Sequence, residues 1–234
     1  MKAKIKNILF TSGCVSALVI ICVALGFFGK NEEDIIINRI VGIVAIVSGL
    51  GSLLIGISSM FTSSLDNVRE YYATGDNDEL IKARGILYNY RYIKIKFGKS
   101  VLDSDFNEWV EKNISSGVAE IRATTAEEIK NASGSVISFF QRWGLLQRKG
   151  FLPVWVFETA SGYSVIKLYE AVEDIVENRR DSNPFYGVEF EELCQRIKKK
   201  YKKAIAQSRN NEKEYIRSVF GIENFENNCC FGKD

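Results

Sequence analysis

Histidine is absent from this chain of 234 residues, which also contains only two prolines and five cysteines. Without histidine the chain lacks the commonest general base, the base of Ser-His and Cys-His nucleophile pairs, and the usual ligand of zinc and non-haem iron. Neither a G-x-x-x-x-G-K-[S/T] phosphate loop nor a C-x-x-C motif is present. We therefore predict a protein that is not an enzyme and that has no metal site and no cofactor.

Paired carboxylates are the remaining candidates for catalysis. Glu127-Glu128 and Glu191-Glu192 both lie in charge-rich helical sequence, where a solvated helix face is the usual explanation. An enzyme whose metal is held by carboxylates alone stays open as an alternative.

The cysteines form no disulfide framework. Cys14 and Cys22 lie inside an apolar run, Cys194 lies in a predicted helix, and Cys229 and Cys230 are adjacent near the C-terminus. This distribution agrees with a domain that faces a reducing compartment such as the cytoplasm.

Two apolar runs near the N-terminus are the strongest feature that is present. Residues 8–28 and residues 40–61 contain no charged side chain. As helices rising about 1.5 Å per residue, both runs extend about 30 Å, the thickness of the hydrocarbon core of a bilayer. A cleaved signal peptide is the alternative for the first run, and the second run would anchor the protein in either case.

The predicted fold is mainly α. It consists of a two-helix transmembrane hairpin over residues 1–63, an all-α cytoplasmic domain over 64–222 and a flexible tail over 223–234. The two spans, over about 8–28 and 40–61, are joined by a polar turn.

Basic residues near the runs predict the orientation of the hairpin. Lys2, Lys4 and Lys6 precede the first run, whereas Lys30 in the turn is followed by three acidic residues. The positive-inside rule then places both termini and the helical domain in the cytoplasm, with the chain crossing the membrane twice.

Glycines in the second run share one helix face. Gly42, Gly49 and Gly56 recur every seven residues and therefore fall on one side of a helix. Small residues allow close approach of helices in lipid. We predict that these glycines pack the spans, within the hairpin or between protomers of a homo-oligomer.

Serines form a second stripe beside the glycines. Ser48, Ser52 and Ser59 would line a water-filled path if the spans assembled into a pore. The alternative is that each hydroxyl bonds to its own helix and lines nothing. Because neither run contains a charged residue, we do not expect a transporter.

Helical periodicity dominates the remaining sequence. The predicted helices cover Asp78–Tyr92, Val136–Leu146 (a core helix), Tyr163–Arg180, Glu189–Gln207 and the short segment Glu214–Phe220. Ile93–Lys96 alternates apolar and basic residues and is the single strand candidate.

Basic residues of the domain cluster in four places and are interleaved with tyrosine and tryptophan. The clusters are Arg84, Arg91, Lys94, Lys96 and Lys99; Arg142, Arg148 and Lys149; Arg179 and Arg180; and Arg196 with Lys198, Lys199, Lys200, Lys202 and Lys203. Phosphate neutralisation combined with base stacking is the way single-stranded nucleic acids are bound.

An anionic ligand site is therefore predicted, centred on Arg142, Arg148 and Lys149 beside the core helix. The further candidates are Arg179, Arg180, Arg84 and Arg91. For the lysines of the last cluster, the alternatives are a solvated helix C-terminus that complements the macrodipole, or contact with anionic lipid.

Several short motifs resemble a bacterial domain family long catalogued as of unknown function. The matching segments are Val136–Phe140, Gly144–Leu146, Arg148–Leu152, Arg180, Asn183-Pro184 and Phe190-Glu191. Gln141 departs from the family pattern, in which an acidic residue is common at this position. The resemblance spans roughly residues 80 to 200 and implies a helical fold.

The architecture of a membrane hairpin plus a helical domain is similar to that of bacterial antiphage effectors. Effectors of Hailong-type defence, whose channel is held inactive by DNA oligomers from a nucleotidyltransferase partner, have a similar architecture, and so do two-span effectors of cyclic-oligonucleotide defence. This resemblance implies an oligomeric channel, with a tetramer favoured, in the bacterial inner membrane. It also implies a single-stranded DNA oligomer or cyclic oligonucleotide as ligand. The alternatives are a membrane-anchored adaptor that docks a cytoplasmic protein and has no pore, and a regulatory partner of a larger membrane complex.

Overall fold

The computed structural model describes residues 32–114, 122–158 and 160–221, and over these ranges the chain is helical with no strand. The helices are α1 (Glu32–Gly75), α2 (Asp78–Phe97), α3 (Phe106–Ile114), α4 (Ala126–Arg148), α5 (Ala160–Arg180), α6 (Val188–Lys200) and α7 (Lys202–Phe220), and a 3-10 turn covers Val154–Phe157. The predicted first span over 8–28 and the predicted tail over 223–234 lie outside the described residues.

Helix α1 is 44 residues long and contains the predicted second span. Within the described residues it covers Glu32–Gly75, so its first residues lie in the polar segment that the sequence predicts as a turn. Its apolar side chains point outward: Val47 is 63%, Leu54 65% and Ile55 72% exposed. By length and composition, α1 is the one helix among the described residues that could cross a membrane.

The chain divides into two compact units, Met1–Asn67 and Val68–Asp234. Helix α1 runs through this boundary, and its last two turns belong to the second unit. There Val68 and Tyr71 are buried in the core, and the ring of Tyr71 meets that of Trp143 edge to face at 5.4 Å between centroids.

Helices α2, α4, α5 and α6 enclose that core, because α2 and α6 each pack on both α4 and α5. Phe140 of α4 stacks on Phe190 of α6 with 4.7 Å between ring centroids. Complete burial of such a side chain contributes about 1.5–3 kcal/mol. Gly144 allows a close approach of the two helices, because a Cβ atom at this position would collide with the backbone carbonyl of Glu189.

The strand predicted over Ile93–Lys96 is wrong, since α2 continues as a helix to Phe97. Ile93 belongs to the main core, whereas Ile95 packs on Ile216 of α7 in a second cluster. Because α2 is covered by other residues on two sides at this point, Ile93 and Ile95 are both buried. Apolar residues at these alternate positions resemble the pattern of a strand.

The single helix predicted over Glu189–Gln207 is also wrong. The chain bends at Tyr201, which has φ −115° and ψ 33° and separates α6 from α7. The Tyr201 hydroxyl donates to the carbonyl of Val154 at 3.2 Å, which ties the bend to the 3-10 turn. Helix α7 then extends to Phe220 and includes the segment predicted as a separate short helix.

Candidate functional site

The residues at the centre of the predicted ligand site do not converge in the structure. Arg142 reaches back to α1, where its Nη2 atom lies 2.6 Å from Oε1 of Glu70. Arg148 instead forms a two-pronged ion pair with Glu189 of α6, with its Nε atom 3.0 Å from Oε2. Lys149 is exposed at the end of α4. The two arginines are thus bound to different helices.

Arg179 and Arg180 stabilise the loop that connects α5 to α6. Arg180 donates from Nε to the carbonyl of Tyr186 at 2.9 Å and from Nη2 to Glu191 at 2.7 Å. The guanidinium of Arg179 lies 5.4 Å from the centroid of the Tyr186 ring. Both contacts are within the domain, so both arginines have intramolecular partners in this conformation.

Arg91 lies in a buried ion cluster that joins α2, α5 and α7. It is 3% exposed and donates from Nη1 and Nη2 to Glu212 at 3.0 and 3.1 Å, and from Nη2 to Glu170 at 3.2 Å. The Tyr163 hydroxyl donates to Glu212 at 2.6 Å, and Lys167 lies 3.3 Å from it. An external anion could bind Arg91 only by displacing these carboxylates.

The pKa values of the two carboxylates of this cluster are shifted in opposite directions. Burial raises the pKa of Glu170 to about 7, against the opposing effect of Arg91. Burial also acts on Glu212, but Arg91, the Tyr163 hydroxyl and Lys167 outweigh it and lower the pKa of Glu212. Sequence reasoning missed both residues, although Glu212 lies on the apolar stripe of α7 with Ile205 and Ile216.

Asp174 is the centre of a second polar group that the sequence did not reveal. Its Oδ2 atom accepts hydrogen bonds from the Tyr90 hydroxyl at 2.7 Å and the Ser100 hydroxyl at 2.6 Å, and Oδ1 lies 3.0 Å from Nζ of Lys94. Burial opposes ionisation of Asp174, but Lys94 and the two hydroxyls lower its pKa. Lys94, from the first basic cluster, is therefore neutralised inside the domain.

Arg84 differs from Arg91, Arg142, Arg148 and Arg180, the predicted anion-binding arginines that form ion pairs with carboxylates. It donates from Nη2 to the backbone carbonyl of Gly75, the last residue of α1, and from Nε to the carbonyl of Leu80 at 3.4 Å. Within the described part of the chain it forms no ion pair with a carboxylate. Both of these hydrogen-bond acceptors are backbone carbonyls, which carry no full negative charge.

A cleft of about 360 Å³ surrounds this arginine, and we call it the Arg84 cleft. It is lined by Tyr71, Ile81, Arg84, Gly85, Tyr88, Phe140, Ser161, Ser164, Val165 and Leu168. Among these residues Arg84 is the one charged side chain. The hydroxyl of Tyr88 is hydrogen-bonded to Ser164, and burial raises the pKa of Tyr88.

A second cleft, of about 290 Å³, lies where α4 meets the end of α1 and the start of α2. Its lining includes Arg142 and Trp143 but also Glu79. Arg142 is paired with Glu70 and lies 5.4 Å from the centroid of the Trp143 ring. This cleft is therefore closer to neutral than the Arg84 cleft.

The residues predicted to line a pore and to pack the spans lie on α1. Ser48, Ser52 and Ser59 are exposed, and the Ser52 hydroxyl donates to the carbonyl of Ser48 at 2.9 Å. Gly42 is buried, Gly49 is half-buried and Gly56 is exposed, with no atom within 4 Å of a Cβ built on it. A glycine surrounded by open space in one chain is accessible for packing against another helix.

Comparison of the chain with protein-family models, with curated proteins and with solved structures finds no match. The resemblance of residues 80 to 200 to the bacterial domain family therefore stays a prediction. In the described part of the chain, no group of three or more cysteine or acidic residues is arranged to hold a metal ion.

Proposed function

We propose that this protein is an oligomeric effector of bacterial antiphage defence in the inner membrane. Its spans form an ion channel or a membrane-depolarising pore, and its helical domain binds a nucleotide or DNA-oligomer ligand that sets the state of the pore. A nucleotidyltransferase is the class of partner that would supply such a ligand.

The main observation in support of this proposal is the continuity of α1. The helix passes from an apolar segment with outward-pointing side chains, such as Leu54, to residues buried in the domain core, such as Tyr71, without a proline or a break. A flexible linker, as expected of a plain tether, is absent between these two residues. Rigid secondary elements are suited to couple a ligand-induced change at one place to a change elsewhere.

A helix-breaking substitution tests this proposal. Asp66 is exposed in the interior of α1, and proline at this position removes a backbone hydrogen bond and costs about 3 kcal/mol of helix stability. We expect Asp66→Pro to insert into liposomes and to abolish the response of ion flux to added DNA tetranucleotides. The matched control, Asp66→Ala, keeps the helix and should respond as the unmodified chain does.

Either direction of the response supports a regulated pore, since a ligand can hold a channel closed or open it. An Asp66→Pro variant that responds like Asp66→Ala contradicts coupling through α1. Liposomes that show no flux with or without the oligonucleotides contradict the pore itself.

The alternative is a membrane-anchored adaptor without a pore. It is favoured by aromatic side chains that the domain leaves in solvent: Phe185 is 78% exposed, and Phe151 and Trp155 are each 50% exposed. Exposed aromatic residues are typical of protein-binding surfaces. If this function is the correct one, Trp155→Ser should disrupt phage protection while ion flux stays at the level of empty liposomes.

A further inference from the structure

We infer that the Arg84 cleft is the ligand site of the domain, that it binds a phosphate-bearing nucleotide unit, and that binding withdraws Arg84 from the end of α1. The inference rests on the proposed function and names the residues through which that function would act. Three observations combine in it: the charge of the cleft, the space beside Gly85, and the contact between Arg84 and Gly75.

The charge of the cleft favours an anion. Arg91, Arg142, Arg148 and Arg180 are all paired with carboxylates, so their charges are already neutralised. Arg84 is half-buried, and no carboxylate lines its cleft. A phosphate would supply the missing negative charge, and guanidinium–phosphate contacts are among the strongest hydrogen bonds in proteins.

The shape of the cleft leaves room for a base. Gly85 precedes Tyr88 by three positions on α2, so both lie on the same face of the helix. No atom lies within 4 Å of a Cβ built on Gly85. A base placed in this space would meet the half-buried ring of Tyr88, which Nζ of Lys167 also approaches at 5.2 Å from the ring centroid. The serine hydroxyls that line the cleft, although already hydrogen-bonded within the domain, can accept hydrogen bonds from a sugar. The volume of about 360 Å³ falls in the range of about 300–1,000 Å³ that is usual for small-ligand pockets.

Binding at this site would change the end of α1. The carbonyl of Gly75 is one of the acceptors that a helix leaves without an internal partner, and Arg84 satisfies it. A phosphate in the cleft competes for the same guanidinium. When Arg84 turns toward the phosphate, the last turn of α1 loses its positively charged partner and frays.

A pair of glycine variants tests the site without touching its charge. Leucine in place of Gly85 adds a side chain to the wall of the cleft and narrows it, and leucine in place of Gly134 provides the control. Both glycines are inside helices, and a Cβ atom added to either one would have no neighbouring atom within 4 Å, so both variants should fold. Gly134 does not line the Arg84 cleft.

The binding experiment uses the full chain in detergent and 5′-phosphorylated, fluorescein-labelled tetranucleotides of each of the four DNA bases. We expect Gly85→Leu and Arg84→Gln to weaken binding of at least one tetranucleotide by about tenfold or more, and Gly134→Leu to bind as the unmodified chain does. Affinity for the unmodified chain should fall steeply with salt, because phosphate contacts dominate it. Arg84→Gln also removes the hydrogen-bond donor of the Gly75 carbonyl at the end of α1. If the domain unfolds in Arg84→Gln for this reason, Gly85→Leu still tests the site.

Three outcomes would overturn the inference. The first is that no tetranucleotide binds, and the second is that a folded Gly85→Leu variant binds as the unmodified chain does. The third is that Arg148→Glu loses binding while Gly85→Leu and Arg84→Gln retain it. None of these outcomes bears on whether the spans conduct ions, which the liposome measurement determines separately.

Hydrogen exchange tests the effect on α1. The amide of Asp76 donates to the carbonyl of Tyr72 at 2.9 Å and reports on the last turn of the helix. We expect bound tetranucleotide to speed exchange at residues 73–76 several-fold in the unmodified chain and to leave it unchanged in Gly85→Leu. Slower or unchanged exchange in the unmodified complex would contradict the withdrawal of Arg84.

Discussion

The apolar segment of α1 and the helical domain differ in where they place apolar side chains and in what their polar side chains contact. In the segment over 40–61, aliphatic side chains such as Leu54 point outward, and the Ser52 hydroxyl bonds to its own helix. In the domain, most large apolar side chains are buried, and Arg91 joins three helices through buried ion pairs. The difference shows that the domain buries a core of its own, whereas the apolar segment exposes its side chains and is long and apolar enough to cross a membrane.

The largest difference in stability should come from deleting a core side chain of the domain. Trp143 is 1% exposed, and we expect Trp143→Ala to reduce the free energy of unfolding of the domain by about 3–5 kcal/mol. The matched deletion in the apolar segment, Leu54→Ala, should change it by less than about 0.5 kcal/mol. Urea denaturation of the full chain in detergent, followed by far-ultraviolet circular dichroism, measures both. Equal losses would contradict the contrast between the two regions.

An added charge should reduce membrane integration when it is placed in the apolar segment and should have no effect on integration when it is placed in the domain. Lysine near the centre of a membrane span costs about 2.5–3.5 kcal/mol of insertion free energy, so Leu54→Lys should reduce membrane integration. Phe185→Lys places the same charge on an exposed surface of the domain and should leave integration unchanged. Alkaline extraction of membranes measures the integrated fraction. Retention of Leu54→Lys at the level of Phe185→Lys would contradict insertion of this segment.

The ion cluster of the domain should make stability depend on pH in two opposing ways. The pKa of Glu170 is about 7 in the folded domain and near 4.5 in the unfolded chain, so its ionisation opposes folding as pH rises between these values. At about 1.4 kcal/mol per pH unit the full effect is about 3 kcal/mol. The pKa of Glu212 is lowered, so its contribution is present above about pH 4.5 and is lost as pH falls.

Glu170→Gln should therefore lose the decrease in stability between about pH 5 and pH 7, whereas Glu212→Gln should be destabilised throughout that range. Thermal unfolding of both variants and of the unmodified chain across this interval measures the slopes. A Glu170→Gln variant with the same slope as the unmodified chain would contradict the raised pKa of Glu170.

The smallest effect on folding should come from the serine stripe. Ser52→Leu lies outside the domain and should leave the stability of the domain unchanged, but it should alter single-channel conductance if the stripe lines a pore. Ile55→Leu is the control on the same helix. Planar-bilayer recording measures both, and identical conductance of Ser52→Leu and the control would favour serines that bond only to their own helix.

The helices of the domain could largely be predicted from periodicity, and the errors have a common cause. The alternating residues of Ile93–Lys96 predict a strand, but they belong to a helix that is covered on two sides. The periodicity of Glu189–Gln207 predicts one helix, but the chain bends at Tyr201, whose hydroxyl donates to the carbonyl of Val154. Both features come from contacts with residues that are distant in the sequence, which local patterns do not encode.

Side-chain hydrophobicity and local spacing are sufficient to predict a mainly α chain, a long apolar segment and clusters of basic residues along the chain. The neutralisation of individual cations depends on the fold, because Arg91 meets Glu212 from 121 positions away, and Arg148 meets Glu189 from 41 positions away. Arg84 is left with backbone carbonyls in a cleft without carboxylates, because a charge is balanced by what folding brings beside it and not by its neighbours along the chain.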